Sequence, residues 1–117
     1  MIVLKTTREL GLMKEACVIA AGALKAAGAA VEPGVSTEEI NRIAHNFITK
    51  SGAIPTFKGY SGYPAATCIS INDEVIHGIP NKKRIIIWLS SCLTVSRATP
   101  TRMMIDVPPS EMFIPMG

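Results

Sequence analysis

The side chains best suited to chemistry in this sequence lie between residues 57 and 77. Three aromatic residues, Phe57, Tyr60 and Tyr63, are followed by Cys68 and His77. Imidazole gains and loses a proton near neutral pH, so His77 is a candidate for acid–base catalysis or for contact with a substrate. Cys68 is a candidate nucleophile for which His77 would have to be the base, and the sequence does not show that the two side chains meet.

Each of these residues also has a structural interpretation. A lone histidine in an extended segment is usually structural or solvent-exposed. The aromatic residues and Cys68 would equally suit the core of a small strand layer. Residue types alone favour these structural roles. The second histidine, His45, lies beside the apolar stripe of a predicted helix, which indicates a surface or boundary position.

Potential metal ligands are scarce in the C-terminal part. Residues 85–101 contain no Asp, Glu or His, and only Asp106 and Glu111 follow. Adjacent carboxylates in a turn, such as Asp73 and Glu74, are usually solvated. We therefore assign no metal ligand and expect no cofactor in this chain.

Composition narrows the class of protein. The 117 residues suit one domain, and 48% of them are apolar. A net charge of +3 is smaller than the charge typical of a nucleic-acid binder. The basic run 82–84 is interpreted as a solvated turn. No signal peptide is evident, and the apolar run 85–89 is too short to cross a bilayer. The three cysteines form no CxxC pair, which indicates reduced thiols in the cytoplasm.

Two amphipathic helices are predicted first. Thr6 and Glu9 form a capping box before the first helix, Cys17 is assigned to its core, and Gly28 is its predicted end. A Pro33-Gly34 turn follows, and Ser36 with Glu39 form a second capping box. The apolar stripes of the two helices comprise Leu10, Met13, Cys17, Ala20, Leu24 and Ala27, and then Ile40, Ile43, Ala44, Phe47 and Ile48.

After Gly52 the pattern changes to short strands. Extended runs are predicted at 53–57, 68–71 and 75–79, with a turn at 72–74, and a buried strand is predicted at 85–89. Helix, helix and hairpin-like strands in this order indicate an α+β fold. No period is visible from Ser96 to Gly117, which we expect to be poorly ordered.

Four stretches together resemble type I methionine aminopeptidases. Residues 2–13 and 31–37 carry the less specific part of the match. The highly specific part is GAIPTFKGYSGYP at 52–64 and CISINDEVIHGIP at 68–80. The resemblance covers residues 1–84, and 85–117 are a divergent tail.

The resemblance implies a cytosolic enzyme that removes the initiator methionine from new proteins. It also implies half of a pita-bread fold, in which two αβ halves enclose two divalent metal ions and a metal-bound hydroxide attacks the peptide. By resemblance, His77 contacts the substrate and helps stabilise the transition state. The residues that match the family's methionine pocket are Phe57, Tyr60, Tyr63 and Cys68.

The chain departs from the family pattern where the metal-binding aspartates would stand. Asp106 lies near the expected distance for the second aspartate, but its neighbours do not match. Codons for residues 93–100, read two bases later, can encode a segment like the family's, so a frame slip after about Arg84 is one explanation. Real divergence and alternative splicing are the others.

Three functional interpretations follow. The first is an incomplete, inactive methionine aminopeptidase. The second is a non-catalytic module that binds peptide N-termini or a partner, and the third is an unrelated small binding domain. Under the first, the missing half would leave apolar surface and strand edges open, so self-association is expected. Neither a membrane nor a nucleic acid is an expected partner.

Overall fold

Two capped helices precede a set of short strands. The computed structural model describes residues 3–72 and 74–86 and, beyond them, only the backbone of 103–106 and 112–113. Its elements are α1 (Thr7–Ala29), α2 (Thr37–Lys50), β1 (Ile54–Pro55), a 3-10 turn (Tyr60–Gly62), β2 (Cys68–Ile71), β3 (Met103–Asp106) and β4 (Met112–Phe113). The α+β class is confirmed.

The start of α1 follows from its capping box. The Thr6 hydroxyl accepts a hydrogen bond from the Glu9 amide, and the Glu9 carboxylate accepts one from the Thr6 amide at 2.7 Å. These bonds satisfy amides that have no partner inside the helix, and they lower the pKa of the Glu9 carboxyl. The predicted end was wrong, because α1 runs through Gly28 to Ala29.

Alanine, and not the larger apolar residues, forms the buried face of α1. The buried positions are Ala16, Ala20, Ala23 and Ala27. Small side chains let α2 approach closely, and the Phe47 ring lies against Gly22, where an added Cβ would come within 2.5 Å of it. The predicted core position of Cys17 is wrong, since this residue is exposed together with Leu10, Met13 and Leu24.

The turn before α2 and the apolar stripe of α2 are confirmed. Gly34 has a φ of 94°, which glycine adopts without steric cost, and the Val35 amide donates to the Glu32 carbonyl. Ile40, Ala44 and Ile48 are buried. The second capping box is only half formed. The Ser36 hydroxyl accepts from the Glu39 amide, but the Glu39 carboxylate pairs with Arg42 instead.

The core joins both helices to the strand region. Ala27, Val31, Ile40 and Ala44 pack with Ile69 of β2 and with Ile86, which is fully buried. Burial of each isoleucine contributes roughly 1.5–3 kcal/mol. The backbone of Ile86 pairs with residues 34 and 35, which supports the start of the buried strand predicted at 85–89. Residues 87–89 lie outside the described residues.

The strands pair differently from the predicted hairpin. β2 is antiparallel to β3, with Cys68 opposite Asp106, and β1 is antiparallel to β4. Residues 75–79 form no strand, so the predicted extended run is wrong there. That segment bends, and it meets β2 through a bond from the Ile69 amide to the Gly78 carbonyl. The run predicted at 53–57 shortens to Ile54–Pro55.

The tail predicted at 85–117 is only partly described. Its two described strands, β3 and β4, pair with β2 and β1. The remaining residues of the segment expected to be poorly ordered lie outside the described residues, so the boundary near Arg84 stays a prediction. No helix in the described part is both long and apolar enough to cross a membrane.

Candidate substrate pocket

The loops after β1 and β2 enclose an open pocket of about 600 Å³. We call it the aromatic pocket. Its lining consists of Phe57, Tyr60, Ser61, Gly62, Tyr63, Pro64, His77 and Ile79. Four of the five residues assigned to the site from sequence, Phe57, Tyr60, Tyr63 and His77, therefore come together. Aromatic faces with few polar groups suit an uncharged side chain of modest size.

One wall of the pocket is set by a tight turn. Gly59 and Gly62 have φ angles of 90° and 80°, and the Gly59 amide donates to the Tyr63 carbonyl at 2.7 Å. This turn brings Tyr63 back against Phe57, with ring centroids 4.8 Å apart and an interplanar angle of 81°. Edge-to-face contact is a favoured aromatic geometry, so the two rings support each other as one wall.

Tyr63 also ties this wall to the loop that carries His77. Its hydroxyl donates to the Thr67 carbonyl at 3.0 Å and lies 3.3 Å from the Gly78 carbonyl. Burial, and then the neighbouring Cys68 thiol, raise the pKa of Tyr63 well above its usual value, while Arg84 acts in the opposite direction. The hydroxyl therefore stays protonated in the folded protein at pH values where an unfolded tyrosine has ionised.

The raised pKa of Tyr63 predicts a stability loss at alkaline pH. Above about pH 10 the unfolded chain releases the Tyr63 proton while the folded chain retains it, so the free energy of unfolding falls as pH rises. The Tyr63→Phe variant lacks this proton and should show a shallower fall between pH 9.5 and 11. Urea unfolding across that range measures both slopes. Equal slopes would show that Tyr63 titrates normally.

His77 occupies the rim of the pocket in a constrained conformation. Its φ is 57°, in the left-handed region, and the residue is exposed. The next residue, Gly78, is buried against β2, where its amide donates to the Ser70 hydroxyl at 3.0 Å. The Ile69 amide donates to the Gly78 carbonyl at 2.8 Å. Gly78 therefore holds the loop against β2 directly beside His77.

A second anchor lies on α2. The Asn41 side-chain oxygen accepts three hydrogen bonds, from the amides of Ala66 and Thr67 and from the Thr67 hydroxyl, at 2.9 to 3.0 Å. These bonds hold the buried segment 65–67 between the aromatic wall and β2. Since the Thr67 carbonyl receives the Tyr63 hydroxyl, α2 is linked through this segment to the pocket.

Cys68 is the one assigned site residue that does not line the pocket. It lies at the start of β2 with 4% of its surface exposed, next to the Tyr63 side chain. No hydrogen bond joins Cys68 to His77 in the described part of the chain. This arrangement offers no support for a Cys68–His77 nucleophile pair, and a substrate contact by Cys68 stays a prediction.

Sequence reasoning missed several residues of the site. Four of them lie within the two specific motifs, so those motifs could have identified them: Ser61, Gly62, Pro64 and Ile79. Asn41 and Thr37 gave no such signal, because their partners lie 25 or more residues away. Thr37 is fully buried, and its hydroxyl exchanges hydrogen bonds with the Asn81 backbone.

The described residues do not fit a metal site. Within 3–72 and 74–86, no group of three or more His, Cys, Asp or Glu side chains is placed to hold an ion. Asp106 is known only by its backbone position opposite Cys68. We therefore derive no catalytic step through a metal for this chain.

The fold and the pocket define the class of protein. The chain belongs to metallopeptidase family M24, whose family model matches residues 11–98. Within that class its relatives are methionine aminopeptidases, which confirms the resemblance seen in the sequence motifs. Methionine aminopeptidase 1 of Bacillus subtilis is 48% identical over 83 residues, and the enzyme of Clostridium perfringens is 50% identical over 80.

Solved structures agree with this assignment. The methionine aminopeptidase of Thermotoga maritima matches 75% of the chain with a TM-score of 0.73 and 36% identity. That of Rickettsia prowazekii matches 69% with a TM-score of 0.66 and 42% identity. These matches confirm that the fold is part of the pita-bread architecture. The matched region of this chain spans about a third of each relative, 34% for Bacillus subtilis and 35% for Thermotoga maritima.

Proposed function

We propose that the aromatic pocket binds the side chain of an N-terminal methionine. In this proposal the chain carries the substrate-binding part of an enzyme that removes initiator methionine from nascent proteins. Phe57, Tyr60 and Tyr63 contact the thioether side chain, and His77 contacts the first peptide bond. This chain binds such peptides without hydrolysing them, because residues 85–101 contain none of the acidic or histidine ligands that the reaction requires.

The observation that carries this proposal is the convergence of the two specific motifs on one cavity. Segment 52–64 supplies the aromatic wall, and segment 68–80 supplies His77 and Ile79. An unbranched thioether is flexible and polarisable, and it packs well against aromatic edges. The lining offers no carboxylate to attract a cationic side chain and no guanidinium to attract an anionic one.

Peptide titration tests the proposal. The 15N-labelled full chain is titrated with Met-Ala-Ser and, as a matched control, with Gly-Ala-Ser. Met-Ala-Ser should shift the amides of residues 57–63 and 77–79, and Phe57→Ala should weaken its binding about tenfold through loss of one aromatic contact. Asn46→Ala, on the exposed side of α2, should leave binding unchanged. Equal responses to the two peptides would refute the methionine pocket.

We also propose that copies of the chain associate through α1. Leu10, Met13 and Leu24 are 55%, 43% and 45% exposed, and Cys17 lies among them on the same face. Contiguous apolar surface of this kind favours association. The chain should therefore sediment as a concentration-dependent oligomer, whereas the double variant Leu10→Glu, Leu24→Glu should be monomeric. Asn46→Glu is the matched surface control. A wild-type monomer at high concentration would contradict this proposal.

The proposed compartment is the cytoplasm, where nascent chains emerge. Both cysteines in the described part, Cys17 and Cys68, are unpaired. A reducing compartment keeps thiols in that state.

A further inference from the structure

The loop that carries His77 is held in place by residues that lie outside the aromatic pocket. We define the His77 loop as residues 74–81. Between Glu74 and Gly78 its side chains are exposed, and the Val75 and Ile76 side chains contribute nothing to the core. The left-handed conformation of His77 is unfavourable for a residue that carries a Cβ, and it persists only where the surroundings fix it. The residues on either side must therefore supply the constraint.

Arg84 joins both ends of this loop. Its guanidinium forms an ion pair with the Glu74 carboxylate and donates through Nη1 to the Ile79 carbonyl at 2.8 Å. The Arg84 side chain is 18% exposed and that of Glu74 is 40% exposed, so water screens the pair only in part. One planar cation thus contacts the residue three before His77 and the residue two after it.

Both partners are themselves held in place. The Glu74 carboxylate accepts from the Ile71 amide at 2.9 Å, at the end of β2. The Arg84 carbonyl accepts from the Thr37 amide at 2.8 Å, at the first residue of α2. The Arg84 amide donates to the Asn81 side chain at 3.0 Å. The ion pair therefore links Glu74, which is bonded to the end of β2, with Arg84, which is bonded to the start of α2. The His77 loop lies between these two residues.

We propose that Glu74 and Arg84 are positioning residues that clamp the His77 loop and so hold His77 at the rim of the aromatic pocket. Neither side chain lines the pocket, so both act through the loop. The role in peptide binding rests on the proposed function, whereas the clamp itself does not.

Hydrogen exchange tests the clamp in the full-length chain. The reporter is the Gly78 amide, which is protected by its bond to Ser70, and the internal control is the Ala66 amide, which is held by Asn41. In Glu74→Gln the Gly78 amide should exchange about three- to tenfold faster, with Ala66 unchanged, because removing one charge frees the loop locally. Arg84→Lys should act similarly, since a lysine loses the fork that reaches both Glu74 and Ile79.

Two further variants separate the clamp from general charge effects. The double exchange Glu74→Arg, Arg84→Glu keeps the opposite charges but loses the acceptor for the Ile71 amide and the donor to the Ile79 carbonyl, so it should not restore the Gly78 protection. Lys83→Gln removes a neighbouring charge and should change nothing. An unchanged Gly78 rate in Glu74→Gln would overturn the proposal, as would equal acceleration at Gly78 and Ala66.

Titration with Met-Ala-Ser then tests the consequence for binding. Glu74→Gln should weaken binding about threefold or more through a mobile His77, whereas Lys83→Gln should leave it unchanged. Loosening of the loop with unaltered peptide affinity would overturn the positioning role. If the wild-type chain binds no Met-Ala-Ser, the proposed function fails and the positioning role fails with it, while the exchange experiment still decides whether the ion pair holds the loop.

Discussion

Replacing Gly78 with alanine is expected to destabilise the chain by about 3 kcal/mol and to abolish peptide binding. An added Cβ would stand 2.1 Å from the Ile69 carbonyl oxygen and 2.8 Å from the Ser70 Cα. Both neighbours belong to the backbone of β2, so neither can rotate away as a side chain could. The clash can be removed only if the His77 loop moves away from β2. That movement breaks the hydrogen bonds from Gly78 to Ser70 and from Ile69 to Gly78.

Thermal and urea unfolding measure this effect. A loss of this size should lower the melting temperature by roughly 10–20 °C in a domain of this length. Gly11→Ala is the matched control, because nothing lies within 4 Å of its added Cβ and it stands inside α1. That substitution should be neutral or stabilising by up to about 1 kcal/mol. Similar melting temperatures for Gly78→Ala and the wild-type chain would show that the loop does not pack against β2 this closely.

The second large effect concerns catalysis. We expect no release of methionine from a Met-Ala peptide, with turnover at least about a thousandfold below that of an intact methionine aminopeptidase, whichever divalent metal is supplied. The reason lies in the sequence of residues 85–101, which contains no Asp, Glu or His where the family pattern places its first ligands. Without those ligands, water near the pocket is not activated as a nucleophile at neutral pH.

Two measurements check this expectation. Released methionine is quantified with the purified full chain in Mn²⁺, Co²⁺ or Fe²⁺, beside the Bacillus subtilis enzyme as positive control. Metal content of the purified chain is measured in parallel and should be well below one ion per molecule. Metal-dependent turnover that persists after removal of trace full-length enzyme, and that disappears in His77→Ala, would show that the C-terminal residues supply ligands after all.

Local features of this protein were determined by the sequence alone. The capping box of Thr6 and Glu9 and the turn at Pro33-Gly34 depend on residues a few positions apart, so their types suffice to predict them. The apolar stripe of α2 was predicted for the same reason. The pocket residues came from the two specific motifs, whose order places aromatic residues and His77 on successive loops.

Tertiary structure decided which apolar surfaces are buried. The periodicity of α1 marked Leu10, Cys17 and Leu24 as core, yet the helix turns its alanines to α2. Periodicity shows that a face is apolar, but the size of the partner's side chains determines which part of that face can approach closely. With Phe47 against Gly22, close approach favours the small residues.

Long-range contacts likewise decided how the site is held together. Residues 75–79 have the composition of a strand, but β2 pairs with β3, and the His77 loop is bent by its contacts with Ser70 and Arg84. The sequence motifs therefore indicated four residues of the pocket lining, Phe57, Tyr60, Tyr63 and His77. The geometry of His77 was decided only by the fold, because its anchors on β2 and near the start of α2 come together through tertiary packing.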